Sequence, residues 1–218
     1  MRPERKAFLA QHPGSGLASW GREGWAWVQA HKRTVGIGGG GVIGVLVCWA
    51  ALTVYGGYQH TIGLRELRTG IESLHDGALD NAVTHLRQAA EHCFDGTVRQ
   101  LAFFQLGEAY QRQGREDAAR QAYEAVLSSG NREHYLVQLA LLELGQAAEN
   151  QGDLERARER YTQAAALNGP AKPEALLAAA RIIERVNDQS ESQSYYEQFL
   201  AQYPNSPLAS VVREKVGQ

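Results

Sequence analysis

Hydrophobic and polar positions divide the chain into two unlike parts. From Thr34 to Gln59 no residue carries a charge, and the flanks are Lys32-Arg33 and Arg65. The apolar stretch 35–58 is about 24 residues, or roughly 36 Å as a helix, enough to cross a bilayer core. Trp49, Tyr55 and Tyr58 lie towards its C-terminal end, where amphipathic rings favour an interface. Beyond about residue 62 the pattern changes. Ala, Leu, Glu, Gln and Arg dominate, strand alternation is absent, and helix follows helix. The pattern predicts an all-α chain, with a single N-terminal transmembrane helix (35–58) followed by a helical array (62–218).

The array repeats. In "LGEAYQRQGREDAARQAYEA" and "LGQAAENQGDLERARERYTQ", Leu-Gly is followed by Gly seven residues on, then Ala, then Tyr. The matched positions are Leu106, Gly107, Tyr110, Gly114, Ala119, Tyr123 and Leu144, Gly145, Ala148, Gly152, Ala157, Tyr161, at an offset of 38. This resembles the tetratricopeptide repeat, a helix hairpin of about 34 residues, with an insertion here near "NREHY". The resemblance implies a helical solenoid. Gly107 and Gly145 would let helices approach closely, and Gly114 and Gly152 would form turns. Asp153 suits a helix cap.

Weaker copies flank these two. Gly70, Gly77, Ala82, Leu86 and Ala89 fall in register before them, and Ala180, Tyr196 and Pro204 after them, with Asn187 in place of the turn glycine. Ser206 and Pro207 read as the N-cap and first residue of a terminal capping helix. About four hairpins and a cap are expected over 62–218.

Charge adds an orientation. The chain has 218 residues and a net charge of −2, but residues 1–33 carry six basic groups against Glu4 and Glu23, and the rest carries −6. An acidic body argues against a nucleic-acid surface. Basic residues before the span put the N-terminus in the cytoplasm and the array on the exported side. Within the basic segment 1–34, Leu17, Trp20, Trp27 or Val28, and His31 fall roughly on one side, which predicts a short interfacial helix. Two cysteines, Cys48 in the apolar run and Cys93 in the polar body, give no disulfide framework.

The sequence carries no motif that points to chemistry. "GIGGGG" at Gly36–Gly41 spells a dinucleotide-binding loop, yet no strand precedes it and the next acid, Glu66, is too distant. Zinc, P-loop and serine-nucleophile motifs are absent. His85, His92 and Cys93 are too spread along a helix to read as metal ligands. Neither an enzyme nor a cofactor is expected. The glycines have their own spacing instead. Gly36, Gly40, Gly44 and Cys48 recur every four residues, a stripe that suits self-association or a membrane partner.

The repeat resemblance implies a concave groove lined by Leu101, Phe104, Glu108 and Gln111, then Leu139, Leu142, Gln146 and Glu149. Apolar on one side and polar to acidic on the other, it suits an extended or helical segment with apolar anchors. The Lys and Asn set that holds a peptide carboxylate in some such repeats is missing. The whole layout, with "WVQAHKR" leading into a Gly-rich span and then an exported array, resembles the ancillary SecYEG translocon subunit (YfgM-like) family. That implies an inner-membrane protein with a periplasmic repeat domain, whose partners are the translocon, a periplasmic chaperone or exported clients. "YYEQFLAQYPNSPLA" is also similar to repeats of outer-membrane assembly and Tol-Pal coordinating proteins. An envelope-assembly or cell-division adaptor therefore stays open, as does an accessory subunit of a membrane enzyme complex.

Overall fold

The computed structural model describes residues 32–93, 95–129 and 134–217, with side chains from 45 onward except 58–60 and 134. The described residues form nine helices and no strand. They are α1 (Lys32–His75), α2 (Leu79–His92), α3 (Gly96–Arg112), α4 (Glu116–Ser128), α5 (His134–Asn150), α6 (Leu154–Ala166), α7 (Lys172–Arg185), α8 (Gln189–Gln202) and α9 (Ala209–Val216). The chain divides into two compact units, Met1–Tyr55 and Gly56–Gln218.

In the first unit the predicted interfacial helix lies outside the described residues. The backbone of α1 is helical through Gly36, Gly40 and Gly44, and Cys48 is exposed. Val45, Leu46, Val47, Trp49, Leu52, Val54 and Tyr55 are all 56–73% exposed, so this stretch is apolar around its whole circumference. Among the described residues no helix is long and apolar enough to cross a membrane. The span expected over 35–58 lies partly outside the residues whose side chains are described. The stretch whose side chains are described, 45–57, covers about 20 Å of helix, short of the roughly 30 Å of a bilayer core.

The second unit is an array of hairpins, each helix packed on its chain neighbour. The last part of α1 meets α2 at Gly70–Leu86 and Glu66–His85; α3 pairs with α4, α5 with α6 and α7 with α8, and α9 closes the end. Small residues set the pairing distance. A Cβ added at Gly107 would lie 2.5 Å from the Tyr123 ring, and one at Gly145 2.5 Å from the Tyr161 ring. At Gly70 it would lie 2.6 Å from Leu86. Turns need the left-handed backbone, supplied by Gly77 (φ 76°), Gly114 (φ 71°) and Gly152 (φ 79°), and in the fourth hairpin by Asn187 (φ 65°). Asp side chains start three helices: Asp95 accepts from the Thr97 and Val98 N–H groups, Asp153 from that of Arg156, and Asp188 from that of Glu191.

One boundary differs from the sequence reading. Helix α9 begins at Ala209, not at Pro207. The Ser206 hydroxyl accepts the Leu208 N–H at 3.3 Å, so Ser206 to Leu208 form a turn before the helix.

The buried residues form two apolar clusters. One runs from Leu67 to Leu144 and the other from Leu141 to Val212, and Leu127 and Leu139 pack against both. Two buried glutamines at matching positions tie the first helix of a hairpin to its second. Gln100 donates to the Val126 carbonyl at 3.1 Å. Gln138 donates to the carbonyls of Ala164 (3.0 Å) and Leu167 (3.1 Å) and accepts the Ala171 N–H at 3.2 Å.

Candidate functional site

The first helices of successive hairpins present the same face. Leu67, Phe104, Leu142 and Leu177 each stand three residues before the close-packing position of their hairpin, at Gly70, Gly107, Gly145 and Ala180. Four residues after that position a polar group meets the second helix's tyrosine. Tyr123 donates to Gln111 at 3.1 Å, Tyr161 to Glu149 at 3.1 Å and Tyr196 to Glu184 at 2.9 Å, each pair twelve residues apart. Burial is the main cause that pushes these phenols above their ordinary range, Tyr196 to about 12.

The next helix then supplies cations. Glu149, with its side chain 13% exposed, accepts from Arg181 at 2.9 Å and is also paired with Arg185. Glu184 accepts from Lys215 of α9 at 2.8 Å. That hydrogen bond, first among the causes, holds the Glu184 carboxyl below the usual carboxylate range.

These groups frame a groove of about 750 Å³. Its walls are α5 (Leu142, Glu143, Gln146), α7 (Glu174, Leu177, Arg181) and α9 (Val211, Val212, Lys215), with Tyr161, Tyr196 and Phe199 between them. Leu208 and Val211 are 51% and 56% exposed at its rim. Glu143 accepts one amide hydrogen bond from Gln111 at 3.2 Å and has no ion pair among the described residues. Glu174 is exposed and makes neither among the described residues. Glu108, on α3, has its carboxyl pushed up by desolvation first, with Glu143 adding to the rise and Arg112 opposing it.

Of the eight groove positions expected from the sequence, Leu142 and Gln146 line this groove. Phe104 is 7% exposed and packs on Tyr123 at a centroid distance of 5.6 Å. Leu101 and Leu139 are half-buried against the apolar clusters. Gln111 and Glu149 are engaged by tyrosine and by neighbouring helices. Sequence reasoning missed Leu177, Arg181, Val211 and Lys215. The signal for Leu177 was present, since it stands 35 residues after Leu142, as Ala180 does after Gly145. His85, set aside as a metal ligand, lies 2.6 Å from Glu66. Among the described residues no group of three metal-binding side chains occurs.

The fold defines a class: the described residues of the second unit form an all-α, solenoid-like stack of helix hairpins. The tetratricopeptide-repeat family model matches residues 104–159 and again 142–207, so this region carries tetratricopeptide repeats. No curated protein matches this chain. Among solved structures, Pseudomonas aeruginosa PilF is similar at 18% identity over 72% of this chain and 68% of its own, with a TM-score of 0.57. MamA is similar at 16% identity over 72% and 83%, with a TM-score of 0.55. A Podospora anserina protein with nearly identical tetratricopeptide-like repeats is similar at 19% identity over 73% and 82%, with a TM-score of 0.52. At these identities the likeness is one of fold.

Proposed function

We propose that this chain is a membrane-anchored interaction scaffold or co-chaperone of the bacterial inner membrane. Its N-terminus is cytoplasmic, its repeat array is periplasmic, and it works beside the protein-export translocon. The groove between α5, α7 and α9 carries the reading, because its apolar rim is open and suited to a segment of a protein partner. Anchoring is supported by the all-round apolar surface of 45–55 and by the basic residues before the uncharged run.

Affinity purification of the full chain in mild detergent tests it. Recovery of translocon components or a periplasmic chaperone is expected. Their reproducible absence, with Tol-Pal or respiratory subunits recovered in their place, would replace translocon association by the adaptor or accessory-subunit reading. Two variants separate the contacts. Gly40→Leu disrupts complexes held by the span, and Val211→Trp fills the groove and disrupts those held by the array.

A further inference from the structure

We infer that the groove takes a basic amphipathic segment, one whose apolar side chains enter between α5, α7 and α9 and whose Lys or Arg side chains reach Glu143 and Glu174. The inference rests on the groove reading above and adds the chemistry of the occupant.

The charges in and beside the groove are unevenly committed. Arg181 and Arg185 both turn to Glu149, and Lys215 turns to Glu184. Each groove cation is thereby answered from within the array. Among the described residues two wall carboxylates are not answered by any cation: Glu143 has only an amide donor, and Glu174 has no partner. Glu108 extends the same excess onto α3, where Glu143 disfavours its ionisation. Beside these carboxylates stand Leu142 and Leu177, and the exposed Leu208 and Val211.

Three classes of segment can be compared. A purely apolar one would cover Glu143 and Glu174 and leave them desolvated without compensation. An acidic one would add repulsion to a groove that already has unpaired carboxylates. A basic amphipathic one lays its aliphatic stems along Leu142 and Leu177 and sets its heads against the two carboxylates. The net −6 of residues 34–218 favours the same partner at longer range.

The test uses the full chain in phosphatidylcholine nanodiscs, with empty nanodiscs as the blank. Two fluorescent peptides of about 14 residues share one set of leucines at helical spacing and carry either Lys or Glu elsewhere. Fluorescence anisotropy should show the Lys peptide binding about tenfold more tightly than the Glu peptide, with the difference shrinking as salt rises. A Glu143→Gln/Glu174→Gln double variant should lose most of that difference, while circular dichroism stays unchanged. Equal binding of the two peptides, or a preference for the Glu peptide, overturns the inference. If Val211→Trp still blocks binding in that case, the groove itself survives as a site. Binding that is indifferent to Val211→Trp sinks the groove reading too, and binding of neither peptide above the blank overturns the basic occupant.

Discussion

A methyl group at residue 145 would enter the ring of Tyr161, whose nearest atom would be 2.5 Å from the new carbon. Tyr161 is 2% exposed and its hydroxyl is held by Glu149, so the ring cannot step aside without breaking a hydrogen bond. Gly145→Ala should therefore cost about 1–3 kcal/mol, read as a fall in melting temperature of about 3–10 °C. The fourth hairpin already has Ala180 at this register beside Tyr196, so Ala180→Gly should leave a small void and a milder loss. Asn187 presents the opposite case. It holds a left-handed turn that glycine fills in the other three hairpins. Asn187→Gly should stabilise the unit by about 0.5 kcal/mol, seen as a higher urea midpoint.

At the scale of elements, the hairpins were legible because two unusual demands leave marks in the sequence. Helices crossing at close range need glycine at 107 and 145, and the turns need it at 114 and 152, so spacing alone reveals both. The start of α9 was not legible, because Ser206 can cap a helix or close a turn with equal chemistry, and here its hydroxyl accepts the Leu208 N–H two residues on. Phe104 and Leu142 share one register and are about equally buried, Phe104 against Tyr123 and Leu142 in the groove wall. The buried glutamines were also missed, since glutamine in a helix ordinarily reads as surface. Gln138 satisfies three backbone groups where α5, α6 and the loop before α7 converge. Gln138→Ala should destabilise by about 2–4 kcal/mol in urea unfolding, because it removes packing and leaves those groups buried without partners.

Across the whole molecule, the cationic and acidic groups make stability depend on pH in two opposed ways. Glu184 is more acidic in the folded chain than its ordinary value of 4.5, so its charge favours folding above about that pH. The benefit disappears as pH falls through the lower native value. Glu108 is less acidic than ordinary, so its ionisation opposes folding at neutral pH and its protonation relieves the cost. At pH 7 Glu184→Gln should melt about 1–3 °C below the parent chain and Glu108→Gln above it. Both gaps should close as pH is lowered below the carboxylate range, which a series of calorimetric scans would show. One consequence of the two apolar clusters concerns cooperativity. Leu127 and Leu139 pack against both, so they couple the melting of one half of the array to that of the other. With Leu127→Ala and Leu139→Ala together, that coupling weakens, and a single thermal transition should separate into two. These leucines act as a mechanical fuse: their packing sets whether strain on one end of the solenoid unravels that end alone or the whole array at once.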